Sequence, residues 1–135
     1  MTSVIAVVAI DARDPGRVAE FWAAALDWET WPDPDGGGVT LAPPGSTGQS
    51  GASGPSIDVF PVPEGKSVKN RLHFDLRADD STQADEVERL LALGATRVDI
   101  GQRPDVSWIV LADPEGNEFC VLQRSVQEAE ASAPS

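Results

Sequence analysis

The chain has 135 residues, 41% of them hydrophobic and 24% charged, and its 10 basic and 22 acidic residues leave a formal charge of −12. These values suit one ordinary globular domain, and the acidic excess repels phosphate backbones and anionic lipid, so neither nucleic acid nor membrane is an expected partner. No apolar run approaches the roughly 20 residues that span a bilayer and no basic segment precedes an apolar signal core, so a cytoplasmic address is expected, and the single Cys120 excludes an intrachain disulfide.

A β-branched run, Val4 to Asp11, opens the chain and breaks at Ala12-Arg13-Asp14-Pro15. Asp14 is a suitable helix N-cap, and Pro15 suits the first helical position, where its missing N–H is no loss. Val18, Phe21, Trp22, Ala25 and Leu26 follow at helical spacing as one apolar stripe. Strands are then expected at Trp28 to Trp31, Gly38 to Leu41 and Ser56 to Val62. Between the last two, Pro43 to Pro55 is rich in Gly and Ser with no apolar anchor, which reads as a mobile loop, either a lid or simply a lengthened hairpin.

The plan then repeats. Leu72 to Arg77 alternates apolar and polar residues and breaks at Ala78-Asp79-Asp80-Ser81, with Ser81 able to cap a second helix. Ala84, Val87, Leu90 and Leu91 form its stripe, and Gly94 supplies a left-handed stop. Strands are expected at Thr96 to Ile100, Val106 to Ala112 and Glu118 to Gln123, the last two joined by the turn Asp113-Pro114-Glu115-Gly116-Asn117. The expected fold is therefore α+β: two βαβββ modules, about 3–62 and 70–124, paired in one domain over 1–125. Eight mainly antiparallel strands surround a cleft, two main helices lie outside, and 126–135 forms a flexible tail.

Several chemistries lack their residues. Gly36-Gly37-Gly38 follows Asp33-Pro34-Asp35 and reads as a hairpin turn, and the Gly65-Lys66-Ser67 fragment lacks the upstream glycine of a phosphate loop. A lone histidine without a nucleophile elbow argues against a hydrolase triad. Four tryptophans, Trp22, Trp28, Trp31 and Trp108, are many for this length. Packing explains each of them, Trp22 above all, but flat apolar walls also stack on planar ligands. Along Leu72 to Arg77, Leu72, Phe74 and Leu76 should face the helices, and Arg71, His73, Asp75 and Arg77 the other side.

The run of strand, Arg13-Asp14-Pro15 and amphipathic helix with Phe21-Trp22, followed by Asn70-Arg71-Leu72-His73-Phe74-Asp75-Leu76 and Ala112-Asp113-Pro114-Glu115-Gly116-Asn117-Glu118-Phe119, resembles the vicinal oxygen chelate superfamily. More narrowly, it is similar to the glyoxalase-like proteins of that superfamily, which share the glyoxalase/bleomycin resistance/dioxygenase fold. The resemblance covers Ser3 to about Arg124.

The resemblance implies a divalent metal held by four side chains, one from the first and one from the last strand of each module, commonly two His and two Glu. His73 matches one such position. Aligning the modules by their turns places Val7 opposite His73, and Val7 has no donor atom. Cys120 stands where the family's last Glu falls, with Glu118 two residues earlier on the same face, and Asp58 is the counterpart of Cys120 in the first module. The resemblance thus implies a glyoxalase-like small-molecule-binding protein with a degenerate metal site and no cofactor expected. His73, Arg71, Asp75, Asp58, Phe60, Trp108 and Cys120 line its ligand site. The alternative is a metal-dependent lyase, isomerase or dioxygenase in which Asp58, His73 and Cys120 or Glu118 hold a divalent metal such as zinc. Catalytic residues remain unassigned. The expected partners are a small organic molecule and a second copy in a twofold homodimer.

Overall fold

The computed structural model describes residues 1–47 and 54–131. The part of the Gly/Ser-rich loop over 48–53 and the end of the tail over 132–135 lie outside the described residues, and with them the expectation of a lid. The chain forms two compact units, Met1–Gly65 and Lys66–Ser135.

In the first unit, strand β1 (Val7–Ala12) runs into helix α1 (Pro15–Leu26), followed by β2 (Glu29–Pro32), β3 (Val39–Ala42) and β4 (Ser56–Pro61). Asp14 caps α1 by accepting the Arg17 N–H at 3.2 Å, with Pro15 at the first turn as its fixed φ predicts. The helix ends at Asp27 in the left-handed region, φ 57°, a conformation that Asp tolerates better than most residues. The sheet order is β1-β4-β3-β2, with β1 parallel to β4 and the other pairs antiparallel. Helix α1 lies against β3 and β4 and buries Val18, Ala19, Phe21 and Trp22, with Leu41, Ile57 and Val59 buried in the strands beneath.

The second unit repeats this order with β5 (Phe74–Leu76), helix α2 (Gln83–Leu93), β6 (Thr96–Arg97), β7 (Ile109–Ala112) and β8 (Glu118–Val121), arranged β5-β8-β7-β6. Again the first and last strands pair in parallel and the rest antiparallel. A short helix α3 (Val126–Ala131) opens the segment expected as the tail and buries none of its residues. Among the described residues the architecture is α+β, with eight strands and two main helices. Among the described residues, no helix is long and apolar enough to cross a membrane.

The structure corrects several boundaries. Thr82, and not Ser81, caps α2, accepting the Asp85 N–H at 3.1 Å, because Asp80 turns the chain through a positive φ of 62° and delays the helix. Of the expected α2 stripe, Val87 and Leu90 are buried, while Ala84 is exposed and Leu91 half-buried. Gly94 closes α2 at φ 123°, a conformation that favours glycine. Strand β5 is only three residues long, and Leu72, expected under the helices, is 89% exposed. The physical reason is that the chain before β5 is held by side chains and not by a ladder. The Asn70 N–H donates to Glu118 Oε1 at 3.1 Å and its Nδ2 to Asn117 Oδ1 at 2.8 Å. Within β5 the expected alternation holds, with Phe74 and Leu76 half-buried and Asp75 exposed.

Candidate functional site

Strand register decides which donors share a face. In the second unit Asp75 is the register partner of Cys120, and Cys120 that of Val110. In the first, Ala9 pairs with Asp58, and Asp58 with Thr40. If Asp58 is the counterpart of Cys120, then Ala9 corresponds to Asp75 and Val7 to His73, the equivalence drawn from the turns. The row Asp75-Cys120-Val110 lies opposite the face carrying Phe74, Phe119 and Leu111, because successive strand residues point to opposite sides.

His73, just before β5, together with Asp75 and Cys120 brings three potential ligand atoms within 4.8 Å of one another. His73 Nδ1 lies 3.1 Å from Asp75 Oδ1, and both side chains are partly exposed, while Cys120 is 6% exposed. Burial pushes the Cys120 thiol up from its ordinary value. The charge and hydrogen bond of Asp75 push the same way, and Lys69 opposes them weakly. The thiol is therefore protonated at neutral pH and donates to the Asp75 carboxylate. Exchanging Asp75 for Asn should lower the thiol's titration midpoint, since two of its upward causes vanish and that of burial stays. Thiolate absorbance followed against pH checks this, and an unchanged midpoint would leave burial as the whole cause.

Glu118, the other candidate donor on β8, is held elsewhere. Lys66 Nζ lies 2.6 Å from its Oε2 and the Asn70 N–H caps its Oε1. Burial alone would raise this carboxyl, but the bonds from Lys66 and Asn70 outweigh it and leave it below its ordinary value. Behind it the turn joining β7 to β8 is fixed by the buried Asp113, which accepts the N–H groups of Glu115 at 2.9 Å and Asn117 at 3.0 Å. In the first unit Thr40 Oγ1 donates to Asp58 Oδ1 at 2.9 Å, and Phe60, 45% exposed, shares that face two residues further along β4. Arg71 is exposed in the segment leading to His73. Trp108, expected in mid-strand, precedes β7 and is 40% exposed, lining a groove of about 530 Å³ with Arg103, Val106 and Val110.

The donor chemistry can be set against the metal that the fold implies. A nitrogen, an oxygen and a sulfur within reach of one another are of types that zinc accepts, with water as fourth ligand. Val7, which the register sets opposite His73, carries no donor atom, and Glu118 is bound to Lys66 and Asn70. Sequence reasoning had Asp75 on the polar file but missed its place between histidine and thiol. The spacing of His73 and Asp75, two apart on one strand face, was the available signal. It also missed Lys66, Asn70 and Arg103. The first two belong to a cluster of cations and amides that stands out in so acidic a chain.

Two βαβββ modules, each closing a parallel pair between its first and last strands, define the vicinal oxygen chelate architecture. The chain belongs to the family described as the Glyoxalase-like domain, whose model matches residues 7–122. No curated protein gives a significant match. Among solved structures, it is similar to a mutant of the genomically encoded fosfomycin resistance protein FosX from Listeria monocytogenes, complexed with Mn(II) and 1S,2S-dihydroxypropylphosphonic acid, at 14% identity and TM-score 0.67, covering 95% of each chain. It is also similar to a glyoxalase/bleomycin resistance protein/dioxygenase family enzyme from Burkholderia phytofirmans PsJN, at 19% identity and TM-score 0.60, covering 88% of this chain and 97% of that one. TnmS3, an antibiotic binding protein from Streptomyces sp. CB03234, matches at 20% identity and TM-score 0.58, over 92% of this chain and 98% of its own. At these identities the likeness is one of fold.

Proposed function

We propose that the chain is a small-molecule-binding protein that receives an organic ligand on the β5/β8 face of its second module, at His73, Asp75 and Cys120, without the metal centre of its superfamily. One observation carries this reading: Asp75 stands between the imidazole and a protonated thiol, so the polar trio is satisfied within itself. His73 meets Asp75 through Nδ1, 3.1 Å from Asp75 Oδ1, which leaves Nε2 as the ring atom for a ligand. A thiol must lose its proton to bind a metal, and burial and the Asp75 charge both resist that loss. The antibiotic binding protein TnmS3, of the same fold, supports the reading by analogy.

A metal-dependent lyase, isomerase or dioxygenase is the second reading, favoured by the 4.8 Å grouping of three ligand atoms and by the Mn(II) in the FosX complex. When bound, the metal would supply Lewis-acid polarisation of a substrate oxygen. His73 and Cys120 would hold it with Asp75. The chain, purified without added metal, should contain far less than one zinc, nickel, manganese or iron per molecule. Fragment binding detected by amide shifts around His73 and Cys120 should be abolished by His73→Ala. About one equivalent of metal, released by His73→Ala, would replace the first reading with the second.

A twofold homodimer is expected from the prevalence of closed symmetry, and sedimentation at micromolar concentration tests it. Nucleic acid is disfavoured by the charge of −12. A cytoplasmic address agrees with a chain that has a single cysteine.

A further inference from the structure

We infer that the groove beside β7 selects an aromatic anion, with Trp108 as the wall for its ring and Arg103 as the partner of its carboxylate or sulfonate. This rests on the small-molecule reading above and names the ligand class for the face that carries the His73 trio. The groove measures about 530 Å³ and is lined by Arg97, Gln102, Arg103, Val106, Trp108 and Val110, among others. That volume lies in the range of small-ligand pockets, roughly 300–1,000 Å³. It adjoins the trio because Val110, on its wall, is the register partner of Cys120, and paired strands lie about 4.8 Å apart.

Charge decides the sign of the ligand. The chain as a whole is strongly acidic at −12, so an anion is repelled from most of its surface. The groove is a local exception, with Arg97 and Arg103 on its lining against the single carboxylate of Asp99. Asp99 is turned into its own loop, where its Oδ1 accepts the Gly101 N–H at 2.8 Å. Arg103 has a nearby carboxylate, Asp105, but the contact is long at 3.5 Å and both side chains are more than two-thirds exposed. Such a pair contributes little, and an incoming carboxylate can replace it with two parallel N–H···O bonds, the geometry a guanidinium favours. Gln102 is braced by accepting the Ile100 N–H at 2.8 Å, so its side-chain amide group stands at a fixed place on the rim.

Geometry decides the shape of the ligand. Trp108 is 40% exposed, which is unusual for an indole, and Val106 and Val110 extend its apolar surface along the groove. A flat ring stacked there would cover this surface and leave its acid group at Arg103.

The test uses the full chain, labelled uniformly with nitrogen-15 so that tryptophan indoles and backbone amides are both read, and three probes: 2-naphthoate, its neutral analogue 2-naphthalenemethanol, and cyclohexanecarboxylate. The Trp108 indole signal is assigned by its loss in Trp108→Phe. 2-Naphthoate should move that signal and bind about tenfold tighter than either other probe. Arg103→Gln should reduce its preference over the alcohol to about twofold or less, and Asp105→Asn should tighten it by about twofold. Trp108→Ala should weaken both naphthalene probes about fivefold or more. Equal affinity for acid and alcohol, or a preference that survives Arg103→Gln, overturns the inference. Amide shifts confined to His73, Asp75 and Cys120 would overturn it while leaving the small-molecule reading in place. No shift with any probe, combined with zinc-induced shifts at the trio, would overturn both.

Discussion

Trp22→Ala is expected to lower stability by about 3–5 kcal/mol, whereas Trp108→Ala should lower it by no more than about 1–2 kcal/mol. Trp22 is 1% exposed on the inner stripe of α1 and meets Phe21 edge-on, with ring centroids 5.1 Å apart and planes at 82°. Truncation there removes a large transfer term and leaves a cavity between the helix and the strands β3 and β4, which a close-packed core fills only in part. Trp108 has no such enclosure, since 40% of its surface is already wet. Urea denaturation followed by far-ultraviolet circular dichroism separates the two. Equal losses would mean that Trp108 is a core residue and would remove the reason to read it as a ligand wall.

The difference between these two tryptophans also marks how far the sequence was legible. Trp22 sits one residue after Phe21 and four after Val18, a local helical pattern that stands whatever the rest of the chain does. Asp14, Pro15 and Gly94 are readable for the same reason, since caps and stops act over a few residues. The duplication of the module was legible because each copy repeats strand, helix and three strands. Long-range effects were not legible. Strand β5 is short because a glutamate 48 positions away takes the Asn70 N–H, and no periodicity in Leu72 to Arg77 records that. The groove is formed by the irregular stretch between β6 and β7, read as longer strands because Val106 to Ala112 is rich in β-formers. The candidate site was legible only as a set of residue types. Its connectivity, with Asp75 between His73 and Cys120, depended on the register of a parallel pair that only the folded chain defines.

Glu118→Ala should cost about 2–4 kcal/mol, because it strips the counter-charge from a largely buried ammonium and the acceptor from a backbone N–H at once. The side chains of Lys66 and Glu118 are 18% and 9% exposed, so water cannot fully replace the lost partner. Glu118→Gln tests the charge separately, since its amide oxygen can still accept from Asn70. The pH dependence has a definite sign. The carboxyl of Glu118 titrates lower in the folded chain than its ordinary value, which is about 4.3 when unfolded. Its contribution is thus fully present above that unfolded value and disappears as pH falls through the folded one. The stability gap between the natural chain and Glu118→Gln should accordingly hold from neutral pH down to about 5 and close below about 4. Urea titrations at a series of pH values measure the gap directly. A gap that persists undiminished in acid would mean that the Lys66 ion pair is not its source. A Glu118→Gln chain of unchanged stability that had lost a bound metal would instead move Glu118 from the frame of the module into a metal centre, and with it the balance towards the enzyme reading.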